Sequence, residues 1–191
     1  DSVSYNGKEY RVTAIGDDAF GRSNELLSVV LPNSIVSIKN SAFSWCPKFK
    51  SITIPASVEF INNWAFISMP SLSYINVEEA TDIIIPDSVT YIGKEAFGHS
   101  NTWKRVEIPA SVKVIDQGAF WCDPSIENVI LHDGLEVIGM DAFFGCGFTR
   151  IKIPDTVTCI GDDAFSYCSS LTEVSIPDSV TYLGVGAFSG C

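Results

Sequence analysis

A mainly β solenoid of about eight stacked coils, each about 23 residues long with short parallel sheets and few helical turns, is the fold class the sequence predicts. Three observations carry it. The pair Ala-Phe recurs eight times, at Ala19-Phe20, Ala42-Phe43, Ala65-Phe66, Ala96-Phe97, Ala119-Phe120, Ala142-Phe143, Ala164-Phe165 and Ala187-Phe188, with the phenylalanines 23, 23, 31, 23, 23, 22 and 23 residues apart. A unit this short cannot enclose a core, so each must bury its apolar side chains against its neighbours. Between the pairs, Leu171, Val174 and Ile176 alternate with polar residues as a strand with one buried face does. A Pro-containing turn then separates that strand from a second apolar stretch.

The elements of one coil follow in order. Ile-Pro-Asp-Ser, at Ile85–Ser88 and Ile176–Ser179, places Pro at the second position of a type I turn and ends the first strand, because Pro cannot donate to a ladder. Val89 with Ile92, Val157 with Ile160 and Val180 with Leu183 mark a second short extended segment. Gly16, Gly93, Gly139, Gly161 and Gly184 come next, with Asn62 and Asp116 in two other coils. These types share tolerance of a left-handed backbone, so a sharp corner is expected there, with Lys39 as an unexplained exception. The hydroxyl column Ser34, Ser57, Ser88, Ser111, Thr156 and Ser179, with Gly134 as a variant, is periodic. That periodicity points to bonding of a neighbouring coil's backbone rather than to nucleophilic chemistry.

These residues resemble the leucine-rich repeat, whose form Leu-x-x-Leu-x-Leu-x-x-Asn/Cys maps onto Leu171-x-x-Val174-x-Ile176-x-x-Ser179. More narrowly, the unit with Ile-Pro-x-Ser-Val, Ile-Gly and Ala-Phe-x-x-Cys is similar to the BspA-like leucine-rich repeat family over essentially the whole chain. The resemblance implies a right-handed solenoid with parallel sheets, found on bacterial cell surfaces and in secreted proteins that bind host or bacterial partners. It brings no catalytic residues.

Composition agrees with one elongated domain over residues 1–191. The chain is 46% hydrophobic with mean hydropathy +0.22, and eight rungs at about 4.8 Å extend roughly 35–40 Å. No stretch approaches a membrane helix and no signal peptide opens the chain. It begins at Asp1 and stops at Cys191 within a unit, so a processed or partial form of a longer, surface-anchored chain is expected, as a monomer in an extracellular setting. A net charge of −11, from 12 basic and 23 acidic residues, disfavours nucleic acid and anionic lipid. The paired acids Asp17-Asp18 and Asp162-Asp163 match no calcium loop and read as solvated turns.

Of the six cysteines, Cys46, Cys146, Cys168 and Cys191 stand three residues after the repeat phenylalanine, Cys122 stands two after it, and Cys159 replaces Tyr91 and Tyr182. Without a Cys-x-x-Cys pair they read as free, buried thiols, not as a metal site or a disulfide framework. Only His99 and His132 are available for acid–base work; no Gly-x-Ser-x-Gly elbow, phosphate loop or metal-binding histidine pair is present. No catalytic residue, metal or cofactor is expected.

Function then lies in what the period leaves free. The outward columns of the first strand, Val30, Thr53, Glu107, Ile130, Lys152, Ser175 and Ser28, Ser51, Arg105, Asn128, Arg150, Glu173, vary freely. Arg105, Glu107, Arg150 and Lys152 form a locally basic, mixed cluster and are the candidate partner-binding residues. Trp45, Trp121, Phe144 and Tyr167, which follow the Ala-Phe pairs, are a second candidate. Between Phe66 and Phe97 eight residues are added. Leu72-Ile75-Val77 and Ile83-Ile84-Ile85 offer two strands for one rung, so Glu78–Asp82 is expected to leave the stack. The reading is a noncatalytic surface or secreted recognition module for a protein or glycan. Its rivals are a structural spacer and, more remotely, an enzyme.

Overall fold

The Ala-Phe pairs form a continuous rail. In the computed structural model, which describes residues 2–76 and 82–191, the eight rings stack in sequence with centroids 5.1 to 5.5 Å apart and planes within 8° of parallel. Each coil is locked to the next beside its ring. Phe43 N donates to Ala65 O at 2.9 Å, and Phe120 N to Ala142 O at 2.8 Å. The six interior phenylalanines and their alanines are fully buried, as are Ile92, Ile115, Ile138 and Ile160. Alanine suits this corner because its carbonyl must approach the preceding coil's phenylalanine N–H, which leaves no room for a larger side chain.

Two parallel sheets flank the rail. One has eight two-residue strands: β3 (Ala14–Ile15), β5 (Ser37–Ile38), β7 (Phe60–Ile61), β10 (Tyr91–Ile92), β12 (Val114–Ile115), β14 (Val137–Ile138), β16 (Cys159–Ile160) and β18 (Tyr182–Leu183). The other, the variable sheet, runs through β4 (Ser28–Val30), β6 (Ser51–Thr53), β8 (Tyr74–Ile75), β9 (Asp82–Ile84), β11 (Arg105–Ile108) and β13 (Asn128–Leu131), followed by the pair β15 (Arg150–Lys152) and β17 (Glu173–Ser175). Its inward residues Ile52, Ile75, Ile83, Val106 and Ile151 are buried. Among the described residues there is no α-helix; the Ala-Phe segments are turns. Sequence reading did not anticipate the antiparallel hairpin of β1 (Ser2–Tyr5) and β2 (Lys8–Arg11). Its Asn6-Gly7 corner has φ of 51° and 73°, the signature of a two-residue hairpin turn.

Three expectations need correction. The Gly16, Gly93, Gly139, Gly161 and Gly184 column is not left-handed; the positive φ values fall two residues later, at Asp18, Ser41, Trp64, Glu95, Asp141 and Asp163. Glycine is favoured in that column by close approach, since a Cβ on Gly161 would lie 2.5 Å from Met140 N. Lys39 is therefore no exception to a left-handed rule. The Pro turn is also displaced by one residue, because the closing bond runs from Val89 N to Pro86 O (3.0 Å) and from Val180 N to Pro177 O (3.2 Å). Pro opens the turn instead of filling its second position.

The third correction concerns the insertion. Residues 78–81 of the Glu78–Asp82 excursion lie outside the described residues, but Asp82 begins β9, and both candidate strands enter the sheet. Ile52 pairs with Ile75, Ile75 with Ile83, and Ile83 with Val106. One step in the other sheet, β7 to β10, thus corresponds to two steps here. On the phenylalanine side the spacing stays ordinary, with Phe66 and Phe97 at 5.5 Å. Asn76 makes the extra rung possible. Its Oδ1 accepts from Ile54 N (2.6 Å) and its Nδ2 donates to Ile84 O (3.0 Å). At the equivalent place two main-chain groups meet, Ile153 N and Ser175 O.

The hydroxyl column behaves as expected in four coils. Ser57, Ser88, Thr156 and Ser179 donate to Ile35 O, Val58 O, Leu135 O and Val157 O at 2.6 to 2.8 Å. The hydroxyl oxygens of Ser34 and Ser111 are buried with no hydrogen-bond partner among the described residues.

Candidate functional site

The four charged candidates fall into two groups. Arg105 and Glu107 project from β11, and Arg150 and Lys152 from β15, with β13 and its Asn128 and Ile130 between them. At about 4.8 Å per strand the two groups stand roughly 10 Å apart. Arg105 is compensated: its Nη2 lies 2.6 Å from Glu107 Oε2 and its Nη1 3.8 Å from Asp82 Oδ2. Glu107 Oε1 is also 3.0 Å from His132 Nε2. A hollow of about 310 Å³ adjoins this network, lined by Ile84, Asp87, Pro109 and His132. Arg150 and Lys152, by contrast, are exposed and make no ion pair among the described residues, with Glu173 and Ser175 opposite them on β17.

β13 and β15 form no ladder because the coil between Phe143 and Phe165 is one residue short. Gly147 takes up the difference; a Cβ there would meet Pro124 O at 2.1 Å. Phe148 fills the leucine position, packing edge-on to Phe143 and Phe165.

The aromatic candidates lie on the edge between the phenylalanine rail and the variable sheet. His99, Trp121, Phe144 and Tyr167 form a run with centroid distances of 4.7, 6.3 and 5.3 Å. Trp45 stands apart at 59% exposure. Beside it is an open groove of about 600 Å³, bounded also by Arg22, Asn24, Pro47, Ser68 and His99.

The cysteine column has a role that its spacing did not reveal. Cys46, Cys146, Cys168 and Cys191 each direct Sγ at the carbonyl of the preceding coil's phenylalanine, at 3.0, 3.3, 3.1 and 3.2 Å. Burial raises their pKa values, Cys168 to about 12 and Cys146 well above the ordinary thiol value, so the buried members of the column hold protonated donors, not nucleophiles. Asp123 occupies the same column, fully buried. Its Oδ1 accepts from Ser100 N (3.2 Å) and Asn101 N (2.5 Å), and its Oδ2 has no partner. Burial pushes this carboxyl up to about 7, against the pull of the two N–H groups. Its place three residues after Phe120 was the available signal.

With the coil geometry in place, the comparisons agree with it. The model of the BspA type leucine-rich repeat region matches residues 8–120 and 78–191 in six copies. The chain belongs to the BspA-type leucine-rich repeat family. Among solved structures of similar shape, a leucine-rich repeat protein from Bacteroides ovatus shares 32% identity with a TM-score of 0.77, covering 96% of this chain and 46% of that one. A leucine rich cell surface protein from Faecalibacterium prausnitzii shares 33% at 0.71, covering 91% and 45%. The T. pallidum leucine-rich repeat protein shares 28% at 0.64, covering 94% and 70%. The chain thus spans about half the length of the first two. No functionally curated protein is similar to it. Within this BspA-type array no helix among the described residues is long and apolar enough to cross a membrane.

Proposed function

We propose that the chain is a noncatalytic recognition module of a bacterial cell-surface or secreted protein, and that it binds a protein or glycan partner through the outward columns of the variable sheet. One observation carries the reading. Side chains in these columns lie outside the buried core, yet they are held on a rigid ladder: Val30 is 94% exposed, and Arg150 and Lys152 are exposed and make no ion pair among the described residues. A cation pair on a molecule of net charge −11 draws a partner region that carries negative charge. A surface location is supported by family membership and by the relative from F. prausnitzii. Arg105 and Glu107 belong to the same face, but their mutual pairing makes them a shape-determining rim.

Arrays of host extracellular proteins and of surface glycans supply the partner for the test. Binding found there should weaken as salt rises from about 0.05 to 0.5 M, because exposed charges are screened within roughly 10 Å at 0.1 M. The double change Arg150→Glu/Lys152→Glu should reduce affinity about tenfold or more with the melting temperature nearly unchanged. Saturable binding that is indifferent to both would place the contact elsewhere, and none at all would favour a structural spacer.

A further inference from the structure

The aromatic edge has a gap. The second residue after each repeat phenylalanine is left-handed in every coil: Arg22, Trp45, Ser68, His99, Cys122, Gly145, Tyr167 and Gly190 have φ between 55° and 73°. That backbone, fixed by bonds such as Trp45 N to Ile67 O (3.1 Å) and His99 N to Trp121 O (2.9 Å), sets these side chains along one line on the edge. From His99 onward the edge is filled by contacting aromatic rings, with Trp121 and Phe144 entering from the residue before this column in the coils where it holds Cys122 and Gly145. Within the column itself, Ser68 is the one residue between Trp45 and His99. Trp45 and His99 are two coils apart, roughly 10 Å, and the groove of about 600 Å³ occupies that interval. The volume is within the roughly 300–1,000 Å³ of small-molecule sites.

The lining has a definite chemistry. Trp45 and Pro47 supply apolar surface, while Asn24, Ser68 and His99 supply hydrogen-bonding groups around it. Arg22 is the one full-time charge among the lining residues, and no carboxylate lines the groove, although acidic residues outnumber basic ones 23 to 12. The nearest sequence acid, Glu25, is taken by Lys48 at 2.8 Å; Arg22 itself has no ion pair among the described residues. A pyranose has an apolar face that lies on indole and a hydroxyl rim that needs side-chain partners. A carboxylate on that ring matches the fork of a guanidinium. We infer that the groove between Trp45 and His99 over Ser68 is a binding site for an acidic sugar, a pyranose ring bearing a carboxylate.

This site uses none of the sheet-face residues, so its test is independent of the proposal above. Calorimetric titration with trigalacturonate should show saturable one-to-one binding, and the carboxyl-reduced neutral trimer should bind at least about tenfold more weakly. Arg22→Gln should erase most of that difference. Ser68→Trp should abolish binding by filling the gap, and the fold should accept it, because Trp45 has the same backbone conformation one coil earlier; circular dichroism confirms the fold. Arg150→Glu/Lys152→Glu should leave sugar affinity within about twofold. Equal affinity for the neutral trimer, unchanged binding in folded Ser68→Trp, no saturation by about 10 mM, or binding of N-acetylphenylalanine in place of the sugar would each overturn the assignment.

Discussion

Asp123 shows how a single buried carboxyl can set a pH dependence in a stacked array. Its carboxyl is raised to about 7 by burial, from near 4 in an unfolded chain. The folded state therefore holds this proton more tightly. The resulting stability is fully present below about pH 4 and is lost as pH rises through about 7, after which a charged Oδ2 lies buried without a partner. Asp123→Asn keeps an acceptor for Ser100 N and Asn101 N and removes the ionisation. Its urea-unfolding free energy should exceed that of the parent by on the order of 1–3 kcal/mol at pH 8, and the gap should shrink toward pH 5. A gap of the same size at both pH values would show that Asp123 is not the titrating group. Its column was legible in the sequence, since it stands where cysteine stands elsewhere, but its burial and its two N–H partners depend on the neighbouring coil.

At the scale of the element, the insertion is the informative case. The sequence shows two strand-like segments between Phe66 and Phe97, and because a coil normally contributes one strand to each sheet the excess, Glu78–Asp82, is expected to leave the stack. The structure admits both because Asn76, at φ 61°, uses its carboxamide as a surrogate peptide between Ile54 and Ile84. Asn76→Ala should cost about 2 kcal/mol, from two unpaired main-chain groups and a left-handed alanine. Amide exchange at Ile54 should accelerate, with exchange at Ile115, two coils away, unaffected. Unaltered protection at Ile54 would mean that water replaces the carboxamide and that the bridge does not hold the extra strand. Nothing in the sequence distinguishes this asparagine from a turn residue, because its partners are 22 and eight positions away.

For the molecule as a whole, stability is a sum over neighbouring coils. An interior ring contacts a ring on each side, as Phe120 does with Phe97 and Phe143 at 5.4 and 5.3 Å, whereas Phe188 is half-buried and stacks on Phe165 alone among the described residues. Phe120→Ala should cost about 3–5 kcal/mol and should broaden the unfolding transition by uncoupling the halves of the stack. Phe188→Ala should cost about half as much and leave the transition sharp. Equal costs would mean that the rings are not the coupling between coils. The extra rung adds about 4.8 Å to the variable sheet with no change along the phenylalanine rail, so the outward columns fan apart between β6 and β11.

The repeat itself, the two strands per coil, the buried rail and the hydroxyl bonds follow from period and residue type alone, because each coil repeats one local pattern and its neighbours supply the same partners. What only the tertiary structure decided are features that require knowing which coils touch. Arg105 is neutralised by Asp82 and Glu107, while Arg150 and Lys152 make no ion pair among the described residues. The glycine column is set by the backbone of the preceding coil, and its corner turns two residues later. The gap over Ser68 exists because aromatic rings lie on both sides of it, at Trp45 and His99, 23 positions before and 31 after. A sequence determines what each coil contributes, and stacking at about 5 Å determines which contributions meet.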